Sequence, residues 1–118
     1  MTDPIAKTST LTVKVGLDQA GIPIAIEWEA EDALGKKAPV DCKAMLLSFF
    51  NTQTKETMKL DLWTKDMQVD EMDRFMFQTL RAMADTYFKA TQNNKLAADM
   101  QRFVQYFGEQ TEIIPRQQ

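Results

Sequence analysis

Glu27, Glu29, Glu31 and Asp32 crowd one short stretch of the chain. Paired carboxylates can divide the work of a general acid and a general base when their surroundings push the two pKa values apart. Here Glu27 and Glu29 fall on the polar side of an alternating segment whose other side holds Ile24 and Ile26. Nothing apolar stands beside them to raise a pKa, so they read as a solvated outer face. A carboxylate-based hydrolase would need a cleft around Glu27, Glu29 and Asp32. Asp66, Asp70 and Asp73 form a second acidic group, without the spacing or central glycine of a calcium loop. Asp70 and Asp73 suit the start of a helix instead. The remaining catalytic inventory is short. There is no histidine, which removes the commonest general base and metal ligand, and the one cysteine, Cys42, has no histidine to activate it. The four glycines make no phosphate-binding spacing, and a zinc site lacks ligands. No catalytic residue, cofactor or metal ligand is expected.

The overall balance of the 118 residues narrows the partners. A net charge of −3 opposes the basic excess that nucleic-acid binding needs. No apolar run approaches the roughly 20 residues of a membrane span, so no membrane insertion is expected. The start, Met1-Thr2-Asp3-Pro4, has neither a basic leader nor an apolar run. With the lone cysteine, this leads to the expectation of a cytoplasmic protein. A chain of this length can bury roughly two-thirds of its unfolded surface as one domain, without a metal or disulfide.

Two periodicities divide the chain. Leu11, Val13, Val15 and Leu17 alternate with Thr12, Lys14 and Gly16, then Asp18-Gln19-Ala20-Gly21 supplies turn chemistry. Alternation resumes through Ile22, Ile24, Ile26 and Trp28, completing a hairpin whose second strand begins at or runs along an edge because of Pro23. Residues 30–43, with Gly35, Lys36, Lys37 and Pro39, read as a loop. Residues 44–50 fit a buried strand or a short buried helix. The strand is preferred, because a polar connector at 51–56 leads to Met58, Leu60 and Leu62 in alternation and then Trp63. Beyond Trp63 the period lengthens. Met72, Met76, Leu80, Met83, Tyr87 and Ala90 make one helical face, with Asp70 as the expected cap. Asn93-Asn94 breaks that helix, and Leu96, Ala97, Met100, Phe103, Val104 and Phe107 make the face of another that should stop at Gly108. The expected fold is α+β: a single domain over residues 9–114, comprising a four-stranded antiparallel meander followed by two amphipathic helices packed on one face of the sheet. Residues 1–8 and 115–118 should be loose ends.

Binding features outweigh catalytic ones. Phe77, Ala84 and Phe88 form a second stripe on the long helix, roughly 80–120° from its main apolar face. Either the final helix or another protein must cover that stripe. Trp63 and Met67 join it as a candidate interaction surface, although a tryptophan more often serves as a core anchor. Met67, Met72, Met76, Met83 and Met100 suit either an irregular core or a surface that accommodates varied apolar partners.

The run Leu60-Asp61-Leu62-Trp63-Thr64-Lys65-Asp66-Met67, followed by Val69-Asp70-Glu71-Met72, closely resembles the gliding motility-associated GldC family of Bacteroidetes. So do Gln78-Thr79-Leu80, Met83-Ala84-Asp85-Thr86 and Ala90-Thr91-Gln92, and the likeness extends over residues 44–107. Gln68 departs from it, standing where many members carry proline, which makes the helix entry less rigid. The resemblance implies a cytoplasmic accessory protein of the gliding machinery, with no assigned reaction or cofactor. It would act on protein partners of the gliding apparatus and as a homo-oligomer. Within the motif, Trp63 would anchor a turn that Thr64, Lys65 and Asp66 shape, and Asp70 would cap the helix. The alternative is a holdase-like chaperone for exported or membrane-associated clients, an analogy from architecture alone.

Overall fold

Asp18 closes the first hairpin with its own side chain. Its Oδ1 accepts from the amides of Ala20 (2.9 Å) and Ile22 (3.0 Å), and Gly21 takes φ +80°, which costs a glycine nothing. In the computed structural model, which describes residues 3–31 and 37–116, this turn joins β1 (Leu11–Leu17) to β2 (Pro23–Ala30). The antiparallel register sets Val13 beside Trp28 and Val15 beside Ile26 on one face, and Lys14 opposite Glu27 on the other. Pro23 is the first residue of β2, where its missing N–H interrupts no ladder, and the strand is central rather than at an edge.

The expected four-stranded meander gives way to five strands in two sheets, ordered β1-β2-β3 and β4-β5. The added strand is β3 (Lys37–Cys42), which lies inside the stretch read as a loop. It pairs antiparallel with β2, Ile26 with Cys42 and Trp28 with Val40. Pro39, which argued for a loop, is accommodated by a bulge. Ala30 pairs with Lys37, so Ala38 and Pro39 together stand opposite Glu29, and the ladder passes over the residue that cannot donate. Residues 32–36 of the expected loop, including Gly35 and Lys36, lie outside the described residues, as do Met1, Thr2 and the last two glutamines of the frayed end.

After a bend at Lys43 the chain continues as β4 (Ala44–Phe50), paired with β5 (Thr57–Trp63). The strand reading of 44–50 therefore holds. Asn51 shapes the connector: its Oδ1 accepts from the amides of Gln53 and Thr54, both at 2.9 Å, while Lys55 turns the chain at φ +62°.

Residues Met1–Met67 form one compact unit and Gln68–Gln118 a second, helical one. In the latter, α1 (Val69–Thr91) has its N-cap at Gln68, two residues before the expected cap Asp70. Glu71, not Asp70, closes its N-terminus: Glu71 Oε1 accepts from the Gln68 amide at 2.9 Å, the back half of a capping box. Asp70 sits in the first turn, where its charge suits the helix dipole. Gln92 ends the helix in the left-handed region (φ +59°), and Asn93 caps α2 (Asn94–Gln110) by accepting from the Leu96 amide at 3.0 Å.

The two helices meet along small residues. Phe77 and Ala84 are the buried residues of α1; Ala97, Val104 and Gly108 are those of α2. Gly108 is not the helix stop that its type suggested. It lies inside α2, and a β-carbon placed there would come within 2.6 Å of Phe77 Cε1 and 2.9 Å of Ile114 Cγ1. The stop comes later, where Glu112 adopts φ +62° and the amides of Ile113 and Glu112 donate to Gly108 O and Glu109 O. That Schellman arrangement folds Ile114 back against the helix.

Candidate interaction surfaces

Of the carboxylates, Glu29 and Glu31 line one cleft with Thr10 and Thr12, which Glu27 does not join. Glu27 and Glu29 stand opposite Lys14 and Thr12 across the β1–β2 ladder. Glu31 is occupied locally, since its Oε2 accepts from the Thr10 amide at 3.1 Å. Asp32 lies outside the described residues. Among the described residues no group of three His, Cys, Asp or Glu side chains could hold a metal ion.

Thr64, Lys65 and Asp66 form a junction inside the first unit. The Thr64 amide donates to Lys43 O (2.8 Å) and the Lys65 amide to Pro23 O (3.0 Å), so one short turn joins the bend before β4 to the start of β2. Thr64 is buried, and its hydroxyl reaches both Lys43 O and Asp66 Oδ1. Lys65 Nζ extends to Asp18 Oδ2 at 2.8 Å, linking the same turn to the first hairpin. The turn is thus shaped by the three residues of the motif. Trp63 beside it is 54% exposed and is no core anchor.

This junction is sensitive to acid. Its hydrogen bond from Lys65, aided by backbone donation from Ile22, holds the Asp18 carboxyl below its ordinary 3.8. The Thr64 hydroxyl, with the charge of Lys43, does the same for Asp66. Both folded-state values are depressed, so each group contributes stability above its unfolded pKa that is lost as pH falls through the folded one. The first unit should loosen as pH drops below 3.8. Asp18→Asn should be less stable than the parent at neutral pH and show a smaller further loss on acidification, as followed by tryptophan fluorescence melts.

Of the candidate surface residues, Phe77 and Ala84 are enclosed. Phe77 is 6% exposed and Ala84 fully buried, and the Phe77 ring abuts Gly108 and Ile114. At Phe77 the stripe meets the chain's own second helix, one of the two alternatives that its position allowed. Phe88 and Met67 are half-buried. The five residues do not gather into one patch.

Two other apolar surfaces are open instead. Within the helical unit the seam takes Phe77, and part of the main α1 face lies beside it along the hairpin. A groove of about 700 Å³ there is lined by Phe75, Thr79, Met83, Tyr87, Ala90 and Met100, with Met83 52% exposed. Its wall is nearly all carbon, and methionine lets such a wall adapt to differently shaped apolar groups. The second surface is one face of the β4–β5 ribbon. The pairs Met45–Leu62, Leu47–Leu60 and Phe49–Met58 share that face, and the outermost pair is the most open, Phe49 at 60% and Met58 at 75%. Its signal was present in the sequence as an apolar run at 44–50 and an alternating run at 58–62, but the same pattern also marks a covered core strand.

No helix among the described residues is long and apolar enough to cross a membrane. Neither curated proteins nor solved structures supply a match. A family model described as gliding motility-associated protein GldC-like matches residues 23–113, which takes in β2 through α2 and the junction at Thr64-Lys65-Asp66. The chain therefore belongs to the GldC-like family of gliding motility-associated proteins.

Proposed function

We propose that the chain is a non-catalytic accessory protein of the gliding machinery, working in the cytoplasm by protein–protein contact through the groove of its helical hairpin. The observation that carries this reading is the uncovered carbon wall of Phe75, Met83, Tyr87 and Met100. A partner helix with apolar side chains three and four residues apart is the natural occupant of such a groove. The acidic net charge and the missing histidine agree with a role in binding rather than in reaction.

Met83→Asp tests it, because Met83 is exposed and its replacement leaves the helical seam intact. Cells carrying this variant should lose spreading over surfaces while the purified protein keeps its helix content. A photo-crosslinker at position 83 should form an adduct with a component of the gliding apparatus. Normal spreading and no such adduct would discard the groove as the working surface. If instead the parent, but not Met83→Asp, delays aggregation of unrelated unfolded chains, the holdase-like alternative is the better reading.

A further inference from the structure

The open edge of β5 carries information that the apolar surfaces do not. Among the described residues β5 pairs only with β4, in a two-stranded sheet. Which of its backbone groups face outwards follows from the two ends of the ladder. The Thr64 amide donates to Lys43 O and the Asn51 amide to Glu56 O, so the hydrogen-bonded pairs between them are Met45–Leu62, Leu47–Leu60 and Phe49–Met58. Thr57, Lys59, Asp61 and Trp63 then direct their N–H and C=O groups away from β4, along an unpaired row.

We propose that this row is a dimerisation edge, on which β5 of a second copy of the chain pairs antiparallel about Leu60. Two-fold symmetry and the outward groups leave three central registers. One sets Lys59 against Lys59, another sets Asp61 against Asp61, and the third sets Lys59 of each copy opposite Asp61 of the other. Only the third places opposite charges together, and it does so twice. In that register Lys59 and Asp61 exchange main-chain hydrogen bonds, Leu60 faces Leu60 at the closer non-bonded spacing, and Met58 of each copy lies beside Leu62 of the other. The exposed apolar face of each ribbon becomes half of a continuous four-stranded face.

Within one copy Lys59 Nζ already reaches Asp61 Oδ2 at 2.7 Å, while Asp61 Oδ1 is buried without a hydrogen-bond partner. The pair is therefore preformed, and both charges project on the same side of β5. Two of the other free edges, β1 and β4, lack this pattern. At the midpoint of β1 stands Lys14, which a centred two-fold would set against itself, the usual protection of an edge strand. No charged residue in β4 would select a register.

The proposal is independent of the groove, and charge inversion tests it without touching Met83. The full chain should be dimeric by native mass spectrometry. Lys59→Asp sets aspartates against aspartates and Asp61→Lys sets lysines against lysines, so each variant alone should dimerise about tenfold more weakly or not at all. Mixed in equal amounts, the two should form a heterodimer of one copy each, because the inverted charges then match. In the unaltered protein the amides of Thr57, Lys59, Asp61 and Trp63 should gain protection from hydrogen exchange as concentration rises, which keeps the test valid if a variant misfolds. A monomeric parent, no recovery in the mixture of folded variants, or concentration-independent exchange at these amides would overturn the proposal.

Discussion

Phe77→Asp is expected to unfold the helical hairpin rather than release a partner. The ring is 6% exposed and packs where Gly108 and Ile114 leave room for it. Removing a buried phenylalanine to alanine costs about 3–5 kcal/mol, and aspartate adds the cost of placing a carboxyl group among carbon atoms. One compensation is available. Arg81 lies over the Phe77 ring, 5.3 Å from its centre, and could turn to the new carboxylate. A helical pair four residues apart returns only about 0.2–0.5 kcal/mol, roughly a tenth of the loss. Domains of this size are stable by about 5–15 kcal/mol, so this one substitution removes much of the margin. Circular dichroism melts should show a sharp loss of helix stability for Phe77→Asp. Met83→Asp, at an exposed position of the same helix, should stay close to the parent. Full helix content in Phe77→Asp, together with loss of a bound protein, would return the stripe to the role of a docking surface.

The position of Phe77 shows what could be read from residue order and what could not. Periodicity located both helices and the first hairpin, because each depends on a local repeat of side chains; the strand at 44–50 was preferred over a helix only through the polar connector and the alternating run that follow it. Periodicity also located the stripe through Phe77, Ala84 and Phe88 as a face needing cover. It could not choose the cover, since that depends on which of two apolar faces α2 meets. The deciding feature is the absence of a side chain at Gly108, thirty-one residues from Phe77 along the chain. The strand Lys37–Cys42 was missed for a related reason. Lys-Ala-Pro-Val-Asp-Cys sets Ala38, Val40 and Cys42 in alternation with Lys37 and Asp41, but Pro39 argued for a loop; it is a strand because β2 offers it a free edge and a bulge accommodates Pro39. The cap at Glu71 is a smaller case. Asp70 had the better residue type, but the chain enters the helix two residues earlier and leaves Glu71 at the position that reaches back.

The surfaces follow the same division. That residues 44–50 and 58–62 were apolar was plain from the sequence, yet an apolar strand face is ordinarily a covered one. Only the pairing of β4 with β5 shows that three cross-strand pairs fall on one face and that its outer end is open. The charges on the other face gain meaning from pairing as well. Lys59 and Asp61 look like ordinary solvated residues until the hydrogen-bonding phase of the ribbon shows that their backbone groups point outwards.

Gly108 carries the second large effect, and two opposing terms meet there. Replacing a glycine inside a helix by alanine ordinarily stabilises it by about 1 kcal/mol. At Gly108 the new methyl would come within 2.6 Å of Phe77 Cε1 and 2.9 Å of Ile114 Cγ1, too close for either contact to persist. Overpacking of this kind costs about 1–3 kcal/mol, so the steric term should win. Gly108→Ala is expected to lower the urea midpoint of the helical unit, and Gly108→Val to lower it further. The two walls should yield differently. Ile114 lies beyond α2 in a short tail and can move aside, whereas the Phe77 ring is fixed in the seam between helices. Ile114→Ala in the Gly108→Ala background should therefore restore little, and Phe77→Leu should restore more than its own cost predicts. Coupling between such neighbours is typically about 0.5–3 kcal/mol, large enough to resolve in a double-mutant cycle. Should Gly108→Ala instead raise the midpoint, helix propensity outweighs contact at this position. The absence of a side chain there would then not be what holds α2 against Phe77.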